Sequence, residues 1–123
     1  MTKFYKCENC QSVAVELITG ECAEEKNYQE LSVGTSDGAS EKHVPVVERD
    51  GNTVTVTVGS LAHPMLEEHY IMFIYLETCS GGMLAKLKPG QEPKAVFEVP
   101  EGQEPKAVYE YCNLHGLWKA DIA

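Results

Sequence analysis

Short β-strand patterns dominate the chain and limit the folds that are open to it. Residues 53–58, TVTVTV, alternate strictly between Thr and Val, which is the period of a half-buried strand. Residues 70–76, YIMFIYL, form an apolar run of strand length, and residues 13–18, VAVELI, are short and rich in Val. No segment shows a convincing amphipathic helix pattern. Short strands separated by turn residues predict an antiparallel β-sandwich of about seven strands.

A duplicated segment supplies two further strands. GQEPKAV occurs at residues 90–96 and again at 102–108, and it leads into the strand patterns KAVFEV (94–99) and KAVYEY (106–111). The intervening PEGQEP is dense in Pro and Gly, so we expect a hairpin between these two strands. Alternation places three side chains of each strand on a common face: Ala95, Phe97 and Val99 in the first, and Ala107, Tyr109 and Tyr111 in the second.

Changes of composition along the chain predict two domains. Residues 1–35 carry a Cys-rich opening and the acidic run ECAEEKNYQE, and we assign them to a small amino-terminal β appendage. Residues 36–123 form the larger β-sandwich. The segment SVGTSDGAS, residues 32–40, has the Gly, Ser and Asp content of a flexible linker. In SLAHPMLEEHY, residues 60–70, we expect a loop with one helical turn.

Charge and hydropathy exclude several classes of partner. The formal net charge is −9 and Arg49 is the single arginine, whereas phosphate binding depends on clustered Lys and Arg, so we expect no nucleic-acid partner. No apolar run approaches the roughly 18 residues of a membrane span, and the opening MTKFYKCENC lacks the apolar segment of a signal peptide. We therefore expect a cytoplasmic protein that does not bind membranes.

Histidine and cysteine carry the strongest indication of chemistry. The four histidines all fall outside the predicted strand interiors, and Cys112 stands in Cys-x-x-His spacing with His115. Loops of a sandwich cluster at its two ends, so these side chains can converge on one metal ion. Four imidazoles and one thiolate exceed the tetrahedral set of structural zinc, and a five-coordinate iron with one open position fits better. Any one of these histidines taken alone is more simply explained as a surface or hydrogen-bonded residue.

Three segments resemble the signature segments of the superoxide reductase family, which includes desulfoferrodoxin and neelaredoxin. They are EKHVPVVE (41–48), VGSLAHPMLEEHYI (58–71) and YCNLHGLW (111–118), they stand in family order, and the resemblance covers residues 36–123. It implies an immunoglobulin-like β-sandwich with one mononuclear iron, Fe(II) or Fe(III), per chain. The ligands it implies are four equatorial histidines and one axial cysteine: His43, His63, His69 and His115, with Cys112.

The resemblance also implies a reaction. Superoxide would take one electron and two protons and leave as hydrogen peroxide, without the dioxygen release of a dismutase. Lys42 would attract the anion and assist its protonation, and Glu41 would close onto the ferric ion after turnover. The family further implies a reduced rubredoxin-type protein as electron donor and a homo-oligomeric assembly.

The amino-terminal segment departs from the two-iron pattern of desulfoferrodoxins. Cys7 and Cys10 have the Cys-x-x-Cys spacing of a rubredoxin-like site, but the Cys-Cys pair expected in its second half is here Cys22 and Ala23. We predict that residues 1–35 hold no iron, although three thiolates with a water or Glu ligand can still bind zinc. The isolated Cys79 is expected to be a buried or half-buried thiol.

Two rival functions use the same ligands. One is a non-catalytic β-sandwich that binds iron or zinc for storage or sensing, and the other is an electron-transfer protein. Glu41 and Lys42 argue against the first, because a passive site needs neither residue. An open coordination position argues against the second, because an outer-sphere electron carrier has no use for one.

Overall fold

The computed structural model describes residues 1–21, 28–34 and 40–122, and for Ser40 and Glu41 it describes the backbone alone. The chain divides into two compact units, Met1–Ser32 and Val33–Ala123. No helix among the described residues is long and apolar enough to cross a bilayer. Cys22 lies outside the described residues, as does most of the predicted linker.

The first unit is a three-stranded antiparallel sheet. Its strands β1 (Phe4–Cys7), β2 (Val13–Val15) and β3 (Tyr28–Glu30) lie in the order β2-β1-β3. The strand predicted over residues 13–18 ends early, at Val15. Glu16 explains this ending, because its carboxylate accepts hydrogen bonds from the Tyr5 hydroxyl at 2.9 Å and the Thr19 hydroxyl at 2.8 Å and so turns the chain.

The second unit is the predicted β-sandwich. A five-stranded sheet has the order β4-β11-β10-β7-β8, and a three-stranded sheet has the order β5-β6-β9. All pairings are antiparallel except that of β4 with β11. The elements are β4 (Val33–Gly34), the short helix α1 (Ser40–His43), β5 (Pro45–Asp50), β6 (Thr53–Val58), β7 (Ile71–Thr78), β8 (Gly81–Lys86), β9 (Lys94–Glu98), β10 (Pro105–Cys112) and β11 (Gly116–Asp121). Val33 and Gly34 thus belong to a strand and not to a linker.

The core lies between the two sheets. Val54, Val56 and Val58 of β6 are fully buried and alternate with half-buried threonines, as the TVTVTV pattern predicts. They pack with buried residues of β7, including Ile74 and Leu76, in one apolar cluster. Complete burial of such a side chain contributes about 1.5–3 kcal/mol, so this cluster is the main source of stability of the sandwich.

The hairpin predicted between the duplicated strands is wrong. β9 pairs with β6 in one sheet, whereas β10 pairs with β7 and β11 in the other. The residues between them therefore cross from sheet to sheet, and the turn closes where Gln103 N–H donates to the Pro100 carbonyl at 3.1 Å. Each copy buries apolar side chains against the same core. Two strands can do this as neighbours in one sheet or as members of two facing sheets, so the pattern of burial does not predict a hairpin.

The loop between β6 and β7 contains no helical turn among its described residues, contrary to the prediction for residues 60–70. A tight turn replaces it, in which Leu66 and His69 exchange two backbone hydrogen bonds of 2.9 and 3.0 Å. Pro64 lies just before this turn, and its ring restricts His63 to extended geometry, which disfavours a helix there.

Candidate metal centre

The five predicted ligand side chains lie at strand ends. His43 ends α1, two residues before the first residue of β5, and His63 and His69 lie in the loop that joins β6 to β7. Cys112 is the last residue of β10, and His115 lies in the turn from β10 to β11. Three separate connections of the sandwich therefore supply the five side chains.

The strand register brings these connections to the same end of each sheet. In the smaller sheet, Pro45 at the start of β5 pairs with Val58 at the end of β6. In the larger sheet, Cys112 at the end of β10 pairs with Ile71 at the start of β7 and with Gly116 at the start of β11. Within each sheet, the antiparallel register thus brings the ligand-bearing connections to one end.

The four imidazole rings form a closed circuit. Ring centroids lie 4.7 Å apart for His43 and His63, 4.8 Å for His63 and His69, 5.0 Å for His69 and His115, and 4.7 Å for His115 and His43. Each ring therefore has two imidazole neighbours, and the four surround a common point. His43 and His63 are buried, His69 is half-buried and His115 is exposed, so the circuit opens to solvent on one side.

The Cys112 thiol completes the cluster. It is fully buried, and its Sγ lies 3.7 Å from Nδ1 of His115. The ligand atoms of His43, His63, Cys112 and His115 all lie within 4.8 Å of one another. His69 joins this group through its ring contacts with His63 and His115. The structure therefore brings all five predicted side chains together.

Burial favours the neutral form of two of the imidazoles, those of His63 and His69. It lowers the pKa of His63, and the neighbouring His69, His115 and Lys42 act in the same direction. It also lowers the pKa of His69, again with contributions from His115 and Lys42. Neutral imidazole is the form that binds metal ions, so these rings are prepared to act as ligands.

Burial shifts the pKa of the Cys112 thiol in the opposite direction. Burial raises the pKa of Cys112 and the charge of Glu110 adds to this, while backbone hydrogen bonds from Leu114 and His115 partly offset the rise. A buried thiol with a raised pKa is protonated near neutral pH, and a metal ion would displace its proton.

The hydrogen bonds of the rings leave nitrogen lone pairs for a metal. Nδ1 of His63 lies 2.7 Å from the Pro64 carbonyl, which can only accept, so Nδ1 carries the proton and Nε2 carries the lone pair. Nε2 of His63 and Nε2 of His69 are buried and have no hydrogen-bond partner among the described residues. Buried polar atoms are rarely left unsatisfied, and a bound metal ion satisfies both nitrogens. The residues therefore fit a bound metal ion.

The comparisons with known proteins place this site in a family. The family model described as Desulfoferrodoxin matches residues 35–121. This chain belongs to the desulfoferrodoxin family. A desulfoferrodoxin of Nitratidesulfovibrio vulgaris is 43% identical over 124 residues, covering 97% of this chain and 95% of that protein. A superoxide reductase of Pyrococcus horikoshii is 34% identical over 108 residues, covering 74% and 94%.

A solved structure shares the fold of this desulfoferrodoxin-family chain. The crystal structure of the superoxide reductase from Treponema pallidum matches it with a TM-score of 0.77 at 33% identity, covering 98% of this chain and 97% of that one. The predicted family and the predicted all-β sandwich with an amino-terminal β appendage are both confirmed.

Asn113 ties two ligand-bearing loops of this family member together, and the sequence analysis missed it. Its side-chain oxygen accepts from Tyr70 N–H at 3.0 Å, and its side-chain amide donates to the Glu68 carbonyl at 3.0 Å. Its backbone N–H donates to the Tyr70 carbonyl at 3.3 Å. The turn that carries His115 is thereby fastened to the loop that carries His69. An Asn between the Cys and His of a Cys-x-x-His motif was the available signal.

Trp118 supports two of the histidines and was also missed. Its indole stacks on His43 with a centroid separation of 4.9 Å and an interplanar angle of 13°. Its Nε1–H donates to the His115 carbonyl at 3.0 Å. On another side it approaches Gly34 of β4 so closely that a Cβ there would lie 2.8 Å from the ring. The indole therefore orients His43 and anchors the turn that holds His115.

Glu110 is the third residue that the sequence analysis missed. Its carboxyl group is fully buried, and one oxygen lies 3.6 Å from Nδ1 of His43. Burial raises the pKa of Glu110 well above its ordinary value. An acidic residue within an apolar strand was the available signal, because such residues are almost never fully buried without a partner.

Lys42, Glu41 and Cys79 are the other residues for which the sequence made a prediction. Lys42 is exposed and precedes His43 in α1, and its charge lowers the pKa of His63 and His69. The backbone of Glu41 belongs to α1, and its side chain lies outside the described part of the chain. Cys79 is exposed, contrary to expectation, because it stands in the turn after β7, where its Sγ accepts from Glu104 N–H at 3.3 Å.

Proposed function

We propose that this chain is a superoxide reductase that reduces superoxide to hydrogen peroxide at one mononuclear iron. The observation that carries the proposal is the closed circuit of four imidazoles with a buried thiol among them. Membership of the desulfoferrodoxin family supports it, as do the relatives named superoxide reductase. The iron ligands would be His43, His63, His69, His115 and Cys112.

The donor set favours iron over the common alternatives. Structural zinc takes four ligands in tetrahedral geometry, and this cluster offers five. Magnesium and calcium prefer oxygen, whereas this cluster offers nitrogen and sulfur. When bound, iron supplies the single electron that superoxide takes up. The chain's own contribution is to hold neutral nitrogen donors and one thiol sulfur around a site that opens to solvent beside His115.

Lys42 supplies local attraction for an anionic substrate. The net charge of −9 repels superoxide at long range, but charges beyond a Debye length of roughly 8 Å are largely screened. Lys42 lies close enough to depress the pKa of two histidines of the site, so its charge acts on an anion at the same place. We assign to Lys42 the capture of superoxide and help with its protonation.

Three parts of the family's function stay predictions for this chain. The role predicted for Glu41 needs its carboxylate, which the structure does not describe. A rubredoxin-type protein as electron donor and a homo-oligomeric assembly are likewise expected from the resemblance alone.

Metal analysis combined with one variant tests the proposal. We expect one iron per chain, consumption of superoxide without dioxygen release, and loss of that activity in Cys112→Ser even where iron is retained, because a serine oxygen replaces the electron-donating thiolate poorly. Cys79→Ser is the matched control, since Cys79 is exposed and belongs to the turn after β7. Zinc in place of iron, or Cys112→Ser acting at the wild-type rate with iron bound, would refute the proposal. The first of these results would favour the non-catalytic metal-binding alternative.

A further inference from the structure

The first unit carries a pair of cysteines that the proposed iron site does not use. Cys7 ends β1, and the chain turns through Cys10 and returns as β2 at Val13, in register with Lys6. Cys7 N–H donates to the Ser12 carbonyl at 2.9 Å and closes this turn. Two thiols three residues apart thus lie on one hairpin connection.

The two thiols differ in their surroundings. A hydrogen bond with Cys7 is the largest influence lowering the pKa of Cys10, and hydrogen bonds with the side chain and backbone of Ser12 add to it. The Cys10 Sγ and Ser12 Oγ lie 3.3 Å apart. Cys10 is exposed, whereas Cys7 is half-buried and lines an open groove with Gln11 and Gln29. A small molecule can therefore reach Cys10 from solvent and Cys7 through the groove.

We propose that Cys7 and Cys10 form a peroxide-oxidised dithiol, with Cys10 as the attacking thiolate and Cys7 as the resolving thiol. The Cys10 thiolate attacks hydrogen peroxide, so that an S–O bond forms, the O–O bond breaks and hydroxide leaves. The Cys7 thiol then attacks the Cys10 sulfenic acid, so that the S–S bond forms, the S–O bond breaks and water leaves. The pair loses two electrons in total, and peroxide gains them.

A redox role for Cys7 and Cys10 is compatible with the missing fourth cysteine ligand of the first unit. A four-thiolate centre needs a fourth cysteine, and Ala23 stands where the two-iron pattern requires one. A disulfide needs only two thiols, and the β1–β2 connection carries both Cys7 and Cys10. The proposal rests on the proposed function in one respect, namely that superoxide reduction is a source of hydrogen peroxide. The test therefore uses added peroxide, so that its outcome does not depend on superoxide chemistry.

Mass spectrometry of the full chain tests the pair directly. The protein is reduced with dithiothreitol, desalted without oxygen, treated with equimolar hydrogen peroxide and alkylated, and then digested with trypsin. Cleavage after Lys6 and Lys26 releases one peptide that contains Cys7, Cys10 and Cys22. We expect this peptide to carry one alkyl group and an internal disulfide that dithiothreitol reverses. Exposed Cys79 serves as the internal control and should react about tenfold more slowly, because the thiolate is the nucleophile.

Three variants assign the roles. In Cys7→Ser, Cys10 should persist as a sulfenic acid that dimedone traps, and in Cys10→Ser the fast reaction should be lost. Cys22→Ser is the matched control and should form the disulfide at the wild-type rate. Loss of the disulfide in Cys22→Ser would overturn the proposal. So would stoichiometric zinc or iron that is released only when these thiols are oxidised, because the cysteines would then be metal ligands.

Discussion

Substitution of Gly34 tests whether Trp118 positions the metal-binding histidines. Gly34 pairs with Trp118 across β4 and β11, and a Cβ at Gly34 would lie 2.8 to 3.0 Å from three carbon atoms of the indole ring. Ordinary contact begins near 3.4 Å, so in Gly34→Ala the indole or β4 must move by about 0.6 Å. Overpacking of this kind costs about 1–3 kcal/mol, and we expect the free energy of unfolding to fall by that amount.

The displacement should also reach the metal centre. Trp118 stacks on His43 and donates to the His115 carbonyl at 3.0 Å, so movement of the indole alters the position of both ligands. We expect Gly34→Ala to bind iron with wild-type stoichiometry but with a shifted absorption spectrum. If Trp118 only stabilised the fold, Gly34→Ala would lower the free energy of unfolding and leave the iron absorption spectrum of the folded protein unchanged.

Urea unfolding followed by tryptophan fluorescence measures the stability change, since Trp118 is the only tryptophan of the chain. Gly81→Ala is the matched control, because Gly81 belongs to the same unit and a Cβ there meets nothing within 4 Å. The control should change stability by less than about 0.5 kcal/mol. If Gly34→Ala and Gly81→Ala unfold alike and share one iron spectrum, the positioning role assigned to Trp118 is wrong.

Two further substitutions test the site. Lys42→Ala should slow the reaction with superoxide by about tenfold at low salt and flatten its ionic-strength dependence. The control Lys106→Ala, at the end of β10 far from Cys112, should change neither; equal rates for the two variants would remove Lys42 from the mechanism. Asn113→Ala removes the side-chain hydrogen bonds to Tyr70 and Glu68 and should lower the free energy of unfolding by about 1–3 kcal/mol. An unchanged urea midpoint would show that the two loops hold together without the Asn113 side chain.

The local parts of the fold were predictable from the sequence, and the long-range parts were not. Alternation located β6, and the apolar run located β7, because side-chain period and burial are local properties. The five ligands could be identified from the sequence because each stands in a segment that resembles a family signature. Trp118 and Gly34 were missed, because their contact depends on a parallel pairing of β4 with β11 that no local pattern announces.

The duplicated segment shows the physical reason for this limit. Val96 and Val108 occupy the same position of GQEPKAV, yet Val96 is 57% exposed and Val108 is fully buried. β9 is an edge strand whose outer face meets solvent, whereas β10 lies between β7 and β11 with both faces buried.

The same difference separates two glutamates that follow these valines. Glu98 is exposed and accepts a hydrogen bond from the Thr53 hydroxyl at 2.9 Å. Glu110, at the equivalent position of the second copy, is fully buried 3.6 Å from Nδ1 of His43. The local sequence around the two residues is nearly identical, but the two copies turn opposite faces to the core. The core takes Ala95 and Phe97 from β9, whereas it takes Val108 and Cys112 from β10, so only Glu110 lies on the inward face. A residue that supports a metal ligand from a neighbouring strand is therefore identified by strand order and register, and not by any motif of its own.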